Sequence, residues 1–261
     1  MAIVNDHAPG TFCWWELGTT DQNAAKQFYG ELFGWNHVDM PMGPDSVYTM
    51  LQREGHNIGA LYQLGAQQAG APAHWLPYVS VANADEAIGK VDSLGGTTMQ
   101  PAFDVMDVGR MGLLQDPDGA VLAVWEPKLH KGASMVGSTG SVIWTELHAT
   151  DAKKAGDFHA GLFNWGRHDQ DFGGATYTSF LNGEKPVGGL FGMPAEGNPA
   201  HWLTFFGVDN CGESVAKATE LGANVMLPPT SADGVGIFAV LADPQGAMFG
   251  ILEPSMPPSN N

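Results

Sequence analysis

The chain has 261 residues, of which 11 are Lys or Arg and 28 are Asp or Glu, so its formal net charge is −17. This length is sufficient for two domains, each with its own hydrophobic core. The acidic excess argues against binding to a nucleic-acid backbone or to an anionic membrane, because both are negatively charged. We therefore expect neither nucleic acid nor membrane as a partner, and a well-solvated surface.

The N-terminal stretch has no basic start and no apolar run, so no signal peptide is predicted. No stretch approaches the ~20 apolar residues that span a bilayer. The cysteines, Cys13 and Cys211, lie far apart and form no CxxC pair. A disulfide scaffold is not expected, and a cytoplasmic location is predicted.

In chain order, the stretch from Trp14 to Trp35 predicts an apolar strand and then a helix that begins near Asp21. Strand-like runs follow in `SVYTML` and `IGALYQL`. The stretch Val81–Gly96 predicts a second helix, with Asp85 as its cap and a double glycine at its end. The predicted apolar face of this helix consists of Ala87, Ile88, Val91 and Leu94. The runs `MGLLQD` and `AVLAVWE`, joined by the turn `DPDG`, complete this half.

The second half repeats this order. `WWELGTTDQNAAKQFYGELFGW` returns as `IWTELHATDAKKAGDFHAGLFNW`, so that Asp151 corresponds to Asp21. `QDPDGAVLAVWEP` returns as `ADPQGAMFGILEP`, and `AHWL` occurs in both halves. Because the repeat is much longer than a solenoid unit of about 20–50 residues, it predicts two domains of one fold.

Each half contains the unit βαβββ twice, so the sequence predicts an α+β fold of four such modules. The predicted boundaries are 8–127 for the first domain (modules at about 11–65 and 74–127), 128–139 for a linker, 140–254 for the second domain (modules at about 141–194 and 201–254) and 255–261 for a tail.

With `FYGELFGW` and `DPDG` in this fourfold order, the sequence resembles the vicinal oxygen chelate superfamily, which includes glyoxalase I, bleomycin-resistance proteins and extradiol dioxygenases. The resemblance extends from about Thr11 to Pro254. It implies that paired modules form a curved, U-shaped mixed sheet around a cavity. It also implies a divalent metal in that cavity in enzymatic members.

The positions that the resemblance assigns to metal ligands hold no ligating side chain, since ligands are His, Cys, Asp, Glu or similar donors. In the first domain these positions are Trp14, Ala60, Leu76 and Ala123. In the second domain they are Trp144, Gly189, Leu203 and Gly250. We therefore expect no cofactor at the ordinary family site, which argues against both glyoxalase activity and extradiol cleavage.

A glutamate interrupts the first apolar strand of each half. The antiparallel pairing of first strands that the resemblance implies would bring Glu16 near His74, and Glu146 near His201. These four are the candidate catalytic residues. Each pair is open to two interpretations, a polar pair that stabilises the fold and a general acid–base pair.

A third interpretation applies to the second domain only. Side chains two apart on a strand share a face, so His148 lies beside Glu146. Together with His201 they would form a displaced site for Fe, Mn, Ni or Zn.

Further residues are candidates for lining the cavities. Trp14 and Trp144 either stack on a flat organic ligand or fill the cavity as core. Tyr48 and Tyr177 begin matching strands, and their hydroxyls are predicted to reach the cavities. Arg110 has an apolar counterpart in the second half, so a cationic anchor there would make the two cavities unequal.

Three functions follow. The first, which we favour, is binding of a small organic molecule in cavities that lack the usual metal ligands. The second is a lyase, isomerase or oxygenase that uses the Glu–His pairs or the displaced metal. The third is a non-catalytic structural module. Two arrangements of the domains remain open. The two domains of one chain cover each other, or they pair in a homodimer.

Overall fold

A computed structural model of the protein describes residues 3–44, 46–68, 70–172, 174–194 and 199–255. It contains the predicted βαβββ unit four times, twice in each half of the chain. Residues 256–261 of the predicted tail lie outside the described residues. The predicted α+β fold class is confirmed.

In the described part of the first half, the elements are β1 (Phe12–Thr19), α1 (Gln22–Phe33), β2 (Asn36–Gly43), β3 (Ser46–Arg53), β4 (His56–Gln63), β5 (His74–Ser80), α2 (Ala84–Val91), β6 (Thr97–Val105), β7 (Gly109–Gln115) and β8 (Val121–Pro127). In the described part of the second half they are β9 (Val142–Ala149), α3 (Ala152–Phe163), β10 (Gly166–Phe172), β11 (Ala175–Asn182), β12 (Lys185–Gly192), β13 (His201–Gly207), α4 (Cys211–Glu220), β14 (Asn224–Ala232), β15 (Gly236–Ala242) and β16 (Met248–Pro254). None of these helices has the length and apolar character that a membrane crossing requires.

Each half forms one mixed, eight-stranded sheet. The strand order is β2-β3-β4-β1-β5-β8-β7-β6 in the first and β10-β11-β12-β9-β13-β16-β15-β14 in the second. β1 pairs antiparallel with β5, and β9 pairs antiparallel with β13. The predicted pairing of the first strands of two modules is therefore correct, and these strands lie at the centre of each sheet.

Side-chain caps define where the helices begin. Asp21 and Asp151 cap α1 and α3 as predicted, because their side chains accept hydrogen bonds from backbone N–H groups of the first turn. The prediction for α2 is wrong by two residues, since Asn83 is the cap and its side chain accepts from the N–H of Glu86. Asp85 lies in the first turn of the helix instead.

Alternation along the central strands divides each sheet into two faces. On one face of β1, Trp15 donates a hydrogen bond of 3.0 Å to Thr145 of the other domain. On the opposite face, Trp14 and Glu16 make hydrogen bonds with tyrosines of their own domain. The helix-bearing faces of the two sheets therefore pack together, and each domain keeps a concave face that points away from the shared core.

Aromatic side chains from both domains fill that shared core. The rings of Trp75 and Phe206 lie 5.1 Å apart, and those of Tyr29 and Phe249 lie 5.6 Å apart. Trp75 and Trp202 are buried beneath the helices. Such rings contribute both a large buried area and specific edge-to-face contacts.

The two domains exchange equivalent hydrogen bonds across this core. The aspartate of each `DPxG` turn accepts a hydrogen bond from a helix of the other domain. Tyr29 Oη of α1 donates to Asp243 Oδ2 at 3.0 Å. His159 Nε2 of α3 lies 3.1 Å from Asp116 Oδ2. The repeat thus extends to the contacts between domains. Buried polar groups of this kind are costly to leave unpaired, so they fix how the domains pack.

We predict that Tyr29→Phe destabilises the protein by about 1–3 kcal/mol, because it leaves both Asp243 Oδ2 and the indole N–H of Trp75 without their hydrogen bond to the hydroxyl. Urea denaturation measures this loss in the free energy of unfolding. The control is Tyr62→Phe, where a hydroxyl with only a 3.4 Å contact from Gln68 is removed, and the cost should stay below about 0.5 kcal/mol. Equal effects of the two changes would contradict the assigned role of the Tyr29 hydroxyl.

Candidate functional site

The concave face of the first sheet, here called the first concave site, has Glu16 at its centre. Tyr48 Oη donates to Glu16 Oε1 and Tyr78 Oη donates to Glu16 Oε2, both at 2.6 Å. Trp14 Nε1 donates to the Tyr48 hydroxyl at 3.0 Å. The predicted reach of Tyr48 into this site is correct, and Tyr78 is a partner that the sequence analysis missed.

The predicted Glu16–His74 pair does not form. His74 lies opposite Gly18 in the β1–β5 register, and its Nδ1 donates to the carbonyl oxygen of Pro72 at 2.9 Å. Glu16 lies opposite Leu76 instead, and the tyrosines reach it from β3 and β5. Burial raises the pKa of Glu16, and the hydrogen bonds from the tyrosine hydroxyls act in the opposite direction.

The second concave site is built around Glu146 in the same way but with different partners. Tyr177 Oη donates to Glu146 Oε2 at 3.0 Å, and Trp144 Nε1 donates to the Tyr177 hydroxyl at 2.7 Å. His148 Nε2 donates to Glu146 Oε1 at 2.7 Å. The side chains of Glu146 and His148 are 14% and 17% exposed, so the pair is not fully buried.

His201 completes this cluster without bonding to Glu146 directly. Its Nδ1 donates to the carbonyl oxygen of Pro199 at 2.9 Å, and its ring lies 5.1 Å from that of His148. Burial lowers the pKa of His201, which favours the neutral ring. Its Nε2 is buried and has no hydrogen-bond partner within the described structure. Glu146 lies near enough to His201 for its charge to favour the protonated ring, but its direct hydrogen-bond partner is His148, two residues along the same strand face.

Aromatic rings occupy the space that metal-ligating side chains would need in the second domain. A Cβ atom on Gly189 would overlap the hydroxyl of Tyr177, and one on Gly250 would overlap the ring of Phe205. Both glycines are at positions that the family resemblance assigns to ligands. A longer, ligating side chain has no room at either position unless these rings move.

The donor atoms present do not fit a metal ion in either site. No group of three or more His, Cys, Asp or Glu side chains that could hold a metal occurs among the described residues. In the predicted displaced set, Glu146 and His148 are engaged with each other. The arrangement is a carboxylate–imidazole pair, which can accept or donate a proton beside a bound molecule.

One substitution accounts for much of the difference between the two sites. His148 has Gly18 as its counterpart in the first domain, and a Cβ there would lie 3.1 Å from the hydroxyl of Tyr62. The first site therefore has a tyrosine where the second has an imidazole. The second site also has a compact apolar cluster of Leu203, Phe205 and Val240 beside its polar residues.

Arg110 does not reach the first concave site, contrary to prediction. Its guanidinium contacts Asp85 at 2.8 Å and Asp104 at 3.5 Å. Arg110 faces Glu126 in the β7–β8 register, whereas its neighbour Met111 faces Trp125. Strand alternation thus directs Arg110 to the helix-bearing face, and an error of one residue explains the wrong assignment.

The linker contributes another residue that the sequence analysis missed. The ring of His130 lies 4.4 Å from that of Trp14 in an edge-on arrangement, and its backbone carbonyl accepts from Trp125 Nε1 at 3.0 Å. Trp14 is only 3% exposed as a result, so it serves mainly as a wall of the first site. No sequence pattern in the Gly-rich linker indicated this contact.

Comparison with known proteins agrees with this architecture. Residues 11–124 match the Glyoxalase/Bleomycin resistance protein/Dioxygenase superfamily, and residues 144–252 match a Glyoxalase-like domain. A protein named "Putative glyoxylase CFP32" of Mycobacterium tuberculosis (strain CDC 1551 / Oshkosh) is 38% identical over 98% of this chain and 99% of its own. The chain belongs to the glyoxalase/bleomycin resistance protein/dioxygenase superfamily.

Two further similar proteins match nearly the whole length of this chain. The anthracycline biosynthesis protein DnrV of Streptomyces peucetius is 33% identical over 94% of both chains. The Mn(II)-bound glyoxalase from Novosphingobium aromaticivorans has a TM-score of 0.64 at 15% identity, covering 97% of this chain and 85% of its own. At that identity the structural match shows the fold alone.

We predict that Gly189→Ala destabilises the second domain by about 1–3 kcal/mol, because the new methyl group displaces the Tyr177 hydroxyl from Glu146 and Trp144. Thermal unfolding monitored by near-UV circular dichroism measures the change. As a control, Gly89→Ala adds a methyl group at an open position of α2 and should leave stability unchanged or raise it by up to ~1 kcal/mol. A harmless Gly189→Ala would show that the aromatic packing is loose.

Proposed function

We propose that the protein binds a small, flat organic molecule in the second concave site. The observation that carries this proposal is the buried Nε2 of His201, which has no hydrogen-bond partner in the described structure. Buried polar atoms without partners are rare, and a ligand that donates a hydrogen bond would satisfy this one. The partly exposed Glu146–His148 pair beside it offers a second polar contact.

The shape and chemistry of the site favour a ligand that is mostly apolar. Trp144 is partly buried and packs on the buried apolar cluster of Leu203, Phe205 and Val240, so apolar side chains back the site. Apolar walls with a few convergent polar groups are typical of small-molecule sites. A flat aromatic ligand agrees with the name of the relative DnrV, since anthracyclines are flat polycyclic compounds.

The proposal does not require the metal centre of the family. In the second domain the positions assigned to ligands carry no metal-ligating side chain, and a Cβ atom at two of them, Gly189 and Gly250, would overlap Tyr177 and Phe205. The catalytic roles predicted for Glu16, His74, Glu146 and His201 remain predictions. In the second site, the Glu146–His148 pair would act on a bound molecule by proton transfer.

We predict that 1-naphthol binds this site and that His201→Phe weakens its binding by roughly tenfold, through loss of one hydrogen bond to the ring. Naphthalene lacks the hydroxyl, so its affinity should be the same for the wild type and the variant. Isothermal titration calorimetry measures both affinities. A ring-sized replacement preserves the packing at this position.

The matched control is His74→Phe in the first domain, because His74 makes the same Nδ1 contact to a proline carbonyl. We expect this variant to bind 1-naphthol with the wild-type affinity. Failure of 1-naphthol to bind the wild type, or an equal loss in both variants, would refute the second concave site as the ligand site.

A further inference from the structure

The first concave site has a feature that the second lacks, a carboxylate with no basic side chain beside it. Glu16 accepts hydrogen bonds from Tyr48 and Tyr78, which are neutral donors. No Lys, Arg or His of the described chain lies within ion-pair distance of it. A poorly solvated carboxylate favours a compensating positive charge.

In the second domain, a basic side chain lies beside the equivalent carboxylate. There, His148 contacts the equivalent Glu146 at 2.7 Å. The counterpart of His148 is Gly18, and the room beside it is taken by the Tyr62 hydroxyl. The first site thus has the carboxylate without the imidazole, so a cation would have to come from outside the chain.

Aromatic rings surround this carboxylate. Tyr48, Tyr62 and Tyr78 lie near it. Burial raises the pKa of each tyrosine, and the charge of Glu16 raises it further. Trp14 bonds to the Tyr48 hydroxyl. A carboxylate among electron-rich rings is the arrangement that recognises organic ammonium ions through ion pairing and cation–π attraction.

The outer part of the same face is apolar and open. The β2–β3–β4–β1 register aligns Val38, Met50, Ala60 and Glu16 on one face, and Met40 lies two residues from Val38 on that face. Val38 is 48% exposed and Met40 is 44% exposed. Exposed methionines form adaptable binding surfaces. The body of a ligand can therefore extend from Glu16 along the side chains of Met50, Val38 and Met40.

We propose that the first concave site binds a small organic ammonium ion, with its charged group against Glu16 and its apolar body along Val38, Met40 and Met50. The net charge of −17 draws cations toward the protein and opposes anionic ligands. This site is in the other domain from the one proposed above, so either can be present without the other.

The test compares 2-phenylethylammonium with 2-phenylethanol, its uncharged match, by calorimetry of the whole protein at low ionic strength. We expect the wild type to bind the ammonium ion at least tenfold more tightly than the alcohol. Glu16→Gln keeps the shape and should abolish this preference. Glu146→Gln is the matched control and should retain it. No binding of the ammonium ion, no preference, or a preference lost in Glu146→Gln instead would overturn the proposal.

A measurement on the wild type covers the case in which Glu16→Gln fails to fold. With ¹³C-methyl-labelled methionine, 2-phenylethylammonium should shift the signals of Met40 and Met50. Met248, which packs beside the apolar cluster of the second domain, is the internal reference and should not shift. Shifts at Met248 alone, or at none of the three, would contradict binding in the first concave site.

Discussion

A carboxylate on the central strand of each sheet is the constraint on which the rest of both concave faces depends. An unsolvated carboxylate costs several kcal/mol unless donors surround it, so Glu16 and Glu146 each require neighbours that can donate hydrogen bonds. Tyr48 and Tyr78 meet this requirement in the first domain, whereas Tyr177 and His148 meet it in the second. Gly189, at one of the positions assigned to ligands, then follows, because the Tyr177 ring that donates to Glu146 needs its space.

The duplicated halves have kept their common core and diverged in their sites. Reciprocal hydrogen bonds link the two `DPxG` aspartates to helices of the opposite domain, and their symmetry matches the sequence repeat. The concave faces do not match in this way, since an imidazole in one domain is replaced by a glycine and a tyrosine in the other. The packing of the domains therefore constrains one face of each sheet and leaves the other free to diverge.

Much of the fold was predictable because its signals are local and repeated. Helix caps at Asp21 and Asp151, and alternation along β1 and β9, follow from short-range backbone chemistry. The partners of Glu16 were not predictable, because Tyr78 and Tyr48 come from strands whose relative register depends on tertiary pairing. Arg110 shows the same limit. Side chains alternate between the two faces of a sheet, so an error of one residue assigns a side chain to the wrong face. The pairing of His159 with Asp116 depends on how the domains pack, which no single strand or helix encodes.

The metal content of protein purified without chelator, determined by elemental mass spectrometry, tests most directly whether the concave sites function without a metal. We expect the contents of Fe, Mn, Ni and Zn to be well below one equivalent per chain, with no further decrease in a Glu146→Ala, His201→Ala double variant. Near-stoichiometric metal that disappears in that variant would contradict this expectation. Such a result would mean that Glu146 and His201 rearrange to hold a metal.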